Sequence, residues 1–323
     1  MIIVTGSAGF IGSAIVHSLN VRGTDDILLV DRLDHPEKEK NVAALKYREM
    51  QSPEAFLENV RKRSLPKPEA IIHMGACSST TETNEAFLRE NNFEYTRYLA
   101  EYALEKGVRF IYASSAATYG DGSQGYADDE QGLDALQPLN LYGHSKHQFD
   151  VWARREGVLN RLVGLKYFNV YGPNEFHKGD MQSMVRKGYY QVKETGKFKL
   201  FKSYREEYAD GGQERDFIYV ADAVDMTLFF LDNKDAGGLF NVGSGVARNW
   251  NDMARSVFSA LDMPVAIEYI EMPESIRNQY QYHTQAPMEK IRNAGYSARL
   301  MSLEDGVIDY VQSYLLPGRR LGD

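Results

Sequence analysis

The chain has 323 residues, of which 43% are apolar and 25% are charged, as in ordinary soluble proteins of one or two domains. Its formal net charge of −8 disfavours nucleic acid and anionic membranes as partners, since binding either needs a basic face. The single cysteine, Cys77, excludes an internal disulfide. With no leader peptide and no long apolar span in the sequence, we expect a cytoplasmic protein.

The first predicted element is a short buried strand over residues 1–5. It is followed directly by GSAGFIG, with Gly6, Gly9 and Gly12, and then by an apolar-periodic helix. Glycines at this spacing allow a tight turn and a close approach to a pyrophosphate, which the helix N-terminus attracts. A second strand, 27–30, ends at Asp31, where a carboxylate can hold a ribose hydroxyl. This order of elements predicts a dinucleotide site.

Strands and helices continue to alternate along the chain. The pattern predicts a helix near 53–63, a strand at 70–73, a long helix from about 83 to 106 and a strand at 108–113. A helix from 142 to about 155 and a strand at 162–167 follow. Beyond 169, YGPNEFHKGD and SYREEYADGGQ indicate loops, before a strand and helix at 217–231 and a strand at 239–242. Such alternation predicts a doubly wound parallel α/β sheet.

Residues 142–146 read Tyr-Gly-His-Ser-Lys. A free tyrosine has a pKa of about 10 and is a poor base at neutral pH. Lys146 lies one helical turn after Tyr142, so its charge is expected to favour the phenolate and lower the pKa of Tyr142. Such a pair is also typical of a solvated helix face, but the dinucleotide pattern favours an acid/base.

The glycine spacing with Tyr142 and Lys146 resembles the extended short-chain dehydrogenase/reductase superfamily, which includes the nucleotide-sugar epimerases. YASSAATYG, residues 112–120, is similar to the strand end where this superfamily has a catalytic serine. The resemblance implies that Ser115 hydrogen-bonds the reacting oxygen, although a serine can also serve its own turn. Sugar dehydratases carry Asp-Glu where this chain has Ala116 and Ala117, which disfavours dehydration.

Four further segments resemble the ADP-L-glycero-D-manno-heptose 6-epimerases: MGACSSTTE at 74–82, ENN at 90–92, YFNVYGPNEFHKG at 167–179 and QYQ at 279–281. The resemblance implies a Rossmann domain, residues 1–168 plus about 217–242, and a smaller, mostly C-terminal α/β substrate lobe, residues 169–216 plus 243–323. It also implies inversion of C6 of a heptose in a lipopolysaccharide inner-core precursor, by transient oxidation with tightly bound NAD(P), in a homo-oligomer. The second proton-transfer group would be Lys178, while Lys146 would hold the nicotinamide ribose.

The resemblance also implies the dinucleotide contacts. They are Gly6, Gly9, Phe10, Ile11, Gly12, Asp31, Arg32, Lys38, Met74, Gly75, Ala76, Cys77, Ser78, Asn91, Lys146, Val170 and Lys178. Residues 74–76 are equally compatible with a core role. Asp31 alone suits the 2′-hydroxyl of NAD, but the two cations Arg32 and Lys38 outnumber it and favour NADP, with NAD possible. Pro53 replaces a second lysine of the family.

The implied substrate contacts are Asn169, Asp180, Lys187, Phe201, Lys202, Ser203, Tyr204, Arg215 and Tyr280. Arg215 suits a diphosphate because a guanidinium can bond two oxygens, and its alternative is a surface pair with Asp216. Asp180 and Lys187 replace a serine and a histidine common in the family, and several residues are inserted within SYREEYADGGQ. The resemblance thus indicates the type of reaction more firmly than the identity of the sugar that the site accepts.

Other functions are less favoured by the sequence. The seven histidines lack metal-ligand spacing, so no metal site is expected, and no base that would activate Cys77 is apparent. His177 either orients a substrate phosphate or has a plain loop role. The rival within the enzyme class is an epimerase of the UDP-sugar 4-epimerase type. A non-catalytic NAD(P)-sensing regulator is the remote alternative, but such sensors usually lose the Tyr-x-x-x-Lys pair.

Overall fold

The computed structural model describes residues 1–277 and 280–323. Its strands are β1 (Ile2–Thr5), β2 (Ile27–Val30), β3 (Glu49–Gln51), β4 (Ala70–His73), β5 (Arg109–Ser115), β6 (Val163–Tyr167), β7 (Asn169–Tyr171), β8 (Phe198–Phe201), β9 (Glu214–Tyr219), β10 (Gly238–Val242), β11 (Ala247–Asn249) and β12 (Ile267–Ile270). Its α-helices are α1 (Phe10–Val21), α2 (Pro36–Val42), α3 (Pro53–Arg61), α4 (Glu85–Leu88), α5 (Tyr95–Lys106), α6 (Leu141–Arg155), α7 (Met184–Thr195), α8 (Val220–Asp232), α9 (Trp250–Ala260), α10 (Glu274–Arg277), α11 (Glu289–Asn293) and α12 (Leu303–Asp309).

The large sheet has seven parallel strands in the order β3-β2-β1-β4-β5-β6-β10. The chain winds outward from β1 in both directions, which leaves a crevice beyond the carboxyl ends of β1 and β4, where ligands bind in such sheets. The predicted doubly wound, Rossmann-type α/β fold is therefore confirmed. Strands β7, β9 and β11 form a separate small sheet, and β8 pairs with β12. The proposed domain boundaries stay a prediction.

The inner strands of the sheet are buried on both faces because they are short and mostly apolar, whereas the edge strand β3 is exposed to half-buried. Alternate side chains of β1 enter different cores: Val4 packs in the cluster that includes Val16 of α1, and Ile3 packs with Phe56 of α3 and Leu99 of α5. Burying each such side chain contributes about 1.5–3 kcal/mol. This burial holds the strands in place, and the site is built on their carboxyl ends.

The predicted helix at 83–106 is only partly right. It begins at Glu85, and between α4 and α5 lies a wider π-helical segment, Arg89–Glu94. The segment YGPNEFHKGD, which is predicted to be a loop, runs into a short 3₁₀ turn, Phe176–Met181. Helix α7 was not predicted, although its buried Val185 and Tyr189 have helical spacing. Within 1–277 and 280–323, no helix has the length and apolar character to cross a bilayer.

Candidate active site

A cavity of about 900 Å³ opens at the carboxyl ends of β1, β4, β5 and β6 and extends to the small sheet. Most of the predicted site residues line it. They are Gly6, Gly9, Phe10, Ile11, Gly12, Asp31, Lys38, Met74, Gly75, Ala76, Cys77, Ser78, Ser115, Tyr142, Lys146, Asn169, Val170, Lys178, Asp180, Arg215 and Tyr280. The fold therefore brings together residues that are up to 274 positions apart in the chain.

The glycine turn between β1 and α1 has no room for side chains. Gly6 has φ +64°, and a Cβ on it would lie 2.6 Å from the Gly75 nitrogen. A Cβ on Gly12 would lie 2.0 Å from the Gly6 oxygen. Gly9, which has no side chain to cap α1, directly precedes that helix. The turn thus presents bare backbone and a helix N-terminus to the cavity, which fits a dinucleotide pyrophosphate.

Asp31 follows β2 and orients the adjacent backbone. One of its carboxylate oxygens accepts from the Ala8 nitrogen at 2.8 Å, and the other accepts from Lys38 Nζ at 3.2 Å. Both predicted cations are already paired, because Lys38 also contacts Asp34 at 2.9 Å and Arg32 binds Glu54. Three carboxylates therefore surround two cations. The sequence predicts an excess of positive charge beside Asp31, and this excess favours NADP. That prediction of the local charge is wrong, because carboxylates already pair with both cations.

Helix α6 begins where Asn140 Oδ1 accepts from the Gly143 nitrogen at 2.8 Å. This cap puts Tyr142 in the first turn and Lys146 one turn later, and both line the cavity. Lys146 is only 5% exposed, and its Nζ donates to the Ala113 oxygen of β5 at 2.9 Å. The helix start and the sheet together fix the Tyr-x-x-x-Lys pair in the cavity wall.

The expected effect of Lys146 on Tyr142 is not found. Burial raises the pKa of Tyr142, and the group that opposes the rise is the Ser115 side chain, which hydrogen-bonds the phenol. Burial also lowers the pKa of Lys146 to about 8, with the Asp150 carboxylate opposing the shift. In the free protein Tyr142 is therefore a protonated phenol. The predicted lowering of the pKa of Tyr142 is therefore wrong. Desolvation of the buried phenol raises this pKa, although Lys146 lies one helical turn away.

Ser115 ends β5 and caps the turn that follows. Its Oγ accepts from the Ala117 nitrogen at 3.1 Å, so both the predicted turn role and a place beside Tyr142 apply.

Behind α6, the π-helical segment turns Asn92 inward. The Asn92 amide donates to the Cys77 oxygen and to Ser145 Oγ, each at 2.9 Å. Asn92 thus joins the loop after β4 to α6.

Lys178 lies in the turn after β7, over the glycine turn. Its Nζ is 5.0 Å from the centre of the Phe10 ring. Burial lowers the pKa of Lys178, and the Glu175 carboxylate opposes the shift. Burial also lowers the pKa of His177 to about 4, so its imidazole is neutral near pH 7. Lys178 thus has the character of an amine that can accept a proton.

The far end of the cavity is aromatic and contains one guanidinium. Arg215 is 7% exposed and lies 5.1 Å from the Tyr280 ring centre and 5.7 Å from that of Trp250. The alternative pair with Asp216 does not form, since the Asp216 carboxylate accepts from the Ala286 and neighbouring backbone nitrogens. A buried guanidinium between aromatic rings suits a diphosphate next to a planar base.

Seven predicted site residues lie outside the cavity wall, and their roles stay predictions: Arg32, Asn91, Lys187, Phe201, Lys202, Ser203 and Tyr204. Lys187 Nζ donates to the Asp180 oxygen at 2.5 Å. The Phe201 ring packs behind Tyr280, with 6.3 Å between ring centres. In the QYQ segment, Gln279 lies outside the described residues.

Several residues of the wall were not predicted from the sequence, including Trp250, Gln281 and Thr284. Trp250 carried one usable signal: Asn249, an N-cap residue, directly precedes it and indicates a helix start there. Gln281 and Thr284 carried none. Their place depends on how the chain returns to the cavity from the small sheet.

Fold and site together define an enzyme of the nicotinamide-dependent, short-chain dehydrogenase type. The chain belongs to the NAD dependent epimerase/dehydratase family, which matches residues 2–243. Its cofactor is accordingly a nicotinamide dinucleotide.

Within that family the chain groups with the ADP-L-glycero-D-manno-heptose-6-epimerases. It is 52% identical over 316 residues to the protein of that name from Nitratidesulfovibrio vulgaris strain DP4, covering 98% of each chain. It is 48% identical over 325 residues to that from Fusobacterium nucleatum, again covering 98% of each. The solved Helicobacter pylori ADP-L-glycero-D-manno-heptose-6-epimerase has a TM-score of 0.80 and 29% identity, covering 97% of this chain and 95% of its own.

Proposed function

We propose that this chain inverts C6 of ADP-D-glycero-D-manno-heptose to give ADP-L-glycero-D-manno-heptose, a precursor of the lipopolysaccharide inner core. The observation that carries the proposal is that Tyr142 and Lys178 belong to different elements yet line one cavity. In the two epimers the C6 oxygen points in different directions, so inversion needs a proton-transfer group on each side of C6. Two groups on separate elements can meet that requirement.

The glycine turn, Asp31 and Lys146 would hold the dinucleotide. When bound, its nicotinamide supplies reversible hydride transfer, and so a transient ketone, which inversion at a carbon with no adjacent carbonyl requires. The side chains of the protein handle the proton on the oxygen. Ser115 donates a hydrogen bond to that oxygen, and Tyr142 exchanges a proton with it.

The two proton-transfer groups start from complementary states. Burial raises the pKa of Tyr142 in the free protein, so the phenol begins as an acid. Burial lowers the pKa of Lys178, so its neutral amine is accessible nearer to neutral pH than that of an ordinary lysine. One group can therefore give a proton while the other takes one, on the two faces of C6.

Replacing Lys178 with methionine tests the two-group mechanism. Purified protein is incubated with ADP-D-glycero-D-manno-heptose, and the two C6 epimers are resolved by chromatography. We expect Lys178→Met to abolish interconversion while NADP binding is retained, because the glycine turn, Asp31 and Lys146 remain to hold the dinucleotide. The matched control is Lys193→Met, since Lys193 lies on the exposed face of α7. Unchanged turnover of Lys178→Met refutes the second role.

The nucleotide of the substrate is tested by competition. We propose that Arg215 binds the diphosphate and that the rings around it accept adenine. ADP should therefore inhibit at a lower concentration than UDP, and Arg215→Lys should weaken ADP because a bidentate contact is lost. Stronger inhibition by UDP would favour the rival 4-epimerase.

For the cofactor we propose NADP, with NAD tolerated. Arg32 and Glu54 are both about half exposed, with 49% and 61% of their side chains accessible. An exposed ion pair is worth about 0–1 kcal/mol, so a 2′-phosphate can draw Arg32 away at little cost. The dissociation constants of NADP and NAD, measured at one ionic strength, test the preference. A lower constant for NAD refutes it.

Three further assignments rest on sequence and stay predictions. They are the division into a dinucleotide domain and a substrate lobe, a homo-oligomeric state and a cytoplasmic location. Limited proteolysis, light scattering and cell fractionation, respectively, test them.

A further inference from the structure

The segment that carries Lys178 is held at its start by a strained asparagine. Asn174 is fully buried and has φ +75°, a conformation that few residues other than glycine adopt. Its side-chain amide donates to Ser13 Oγ of α1 at 3.0 Å, and its side-chain oxygen accepts from the Leu321 nitrogen at 3.1 Å. These bonds offset the strain and fix where the Lys178 turn, residues 174–181, begins.

A second asparagine joins this turn to the glycine turn. Asn41, at the end of α2, is 1% exposed. Its amide group has two protons, and each is donated to a backbone carbonyl: Ala8 O at 3.1 Å and Asn174 O at 3.0 Å. Ala8 belongs to the glycine turn, so one side chain spans the dinucleotide loop and the loop that precedes Lys178.

A third contact reinforces the same junction. The Arg320 guanidinium binds the Glu37 carboxylate on α2 and lies 4.6 Å from the centre of the Phe176 ring. On the other side of the turn, Glu175 accepts hydrogen bonds from the nitrogen and hydroxyl of Ser183, which caps α7. The turn is thus attached to the dinucleotide side by Asn174 and to the start of α7 by Glu175.

We propose that Asn41 and Asn174 are positioning residues for Lys178, and that they set its place relative to the glycine turn. The inference rests on the proposed function, because it concerns the second proton-transfer group. Lys178 and the glycine turn line the same cavity from separate elements. Asn41 is one side chain that bonds the backbone of both the glycine turn and the Lys178 turn, so it constrains their relative position.

The expected effect follows from the bonds that are lost. Asn41→Leu keeps the size of the side chain and removes both donors. With two buried hydrogen bonds lost, the turn should gain alternative positions and kcat should fall about tenfold. The KM of the substrate and the dissociation constant of NADP should each change less than about threefold, since the groups that bind them remain.

Asn20→Leu is the matched control. The Asn20 amide also donates to two backbone carbonyls, Thr24 O at 2.9 Å and Lys46 O at 2.8 Å, but at the opposite end of α1. It should leave kcat unchanged, whatever it costs in thermal stability. Asn174→Gly is the second variant, because glycine keeps the positive φ and removes only the side-chain bonds.

Hydrogen–deuterium exchange gives a readout that does not need turnover. Asn41→Leu and Asn174→Gly should each raise exchange of residues 175–181 about fivefold or more, with Asn20→Leu at the wild-type rate. The proposal is overturned by wild-type exchange in both variants, by a kcat equal to that of the control, or by a collapse of NADP affinity that accounts for the lost turnover. If wild-type protein does not epimerise the substrate, the proposed function fails, whereas the exchange result still reports the positioning.

Discussion

Lys146 gives a prediction whose size can be worked out from its burial. Burial lowers the pKa of its ammonium from 10.5 to about 8. This difference of about 2.5 units corresponds to about 3.4 kcal/mol that the charged group costs the folded protein at pH 7. Lys146→Met removes that cost and also the bond to the Ala113 oxygen, worth about 1 kcal/mol. The cofactor-free variant should be more stable than wild type by about 2 kcal/mol at pH 7.

The pH dependence has a definite sign. Below pH 8 both the folded and the unfolded chain carry the charge, so the full cost is present. Between pH 8 and 10.5 the unfolded chain binds more protons, so wild-type stability rises with pH and the advantage of the variant shrinks. Urea unfolding at pH 7, 9 and 10.5, followed by circular dichroism, measures this trend.

The control for this experiment is Lys62→Met. Lys62 is exposed on the protein surface and pairs with Glu58, so its loss should change stability little at any of these pH values. The reasoning is refuted if Lys146→Met is no more stable than wild type at pH 7, or if its advantage persists at pH 10.5.

Two further predictions concern acid stability and cofactor preference. Burial lowers the pKa of His73 to about 3, so wild-type protein should lose up to about 5 kcal/mol as the pH falls from 6.5 towards 3. His73→Asn should flatten that loss in urea titrations, and an unchanged slope would rule out His73 as its source. Glu54→Gln should free Arg32 and raise the affinity for NADP relative to NAD by up to about fivefold. Glu58→Gln is its control, and equal ratios of NADP to NAD affinity in the two variants would contradict the idea.

The parts of the site that the sequence predicted are those whose geometry is local. Gly6, Gly9 and Gly12 act within one turn, and Tyr142 and Lys146 within one helix, so contiguous spacing was enough to place them. The alternation of strands and helices is also visible along contiguous sequence, and it predicted the large parallel sheet. Helix α6 begins at Leu141, one residue before the predicted start, and the Asn140 cap defines that start.

The parts that failed depend on contacts distant in sequence or on burial. Glu54 neutralises Arg32 from 22 positions away, which no charge count near Asp31 could anticipate. The bond from Asn41 to Asn174 spans 133 positions. The direction of the Tyr142 pKa shift depends on how completely the cavity excludes water, a property of the assembled fold.

The wide turn at Arg89–Glu94 limits how the chain can change in length. A π-helical turn contains one residue more than a regular turn, and that residue directs Asn92 towards Cys77 and Ser145. Deleting one residue there would restore a regular α-turn and remove the wide turn from which Asn92 reaches Cys77 and Ser145. Related chains should therefore gain and lose residues in the loop at 203–213 and keep a constant count between 85 and 106.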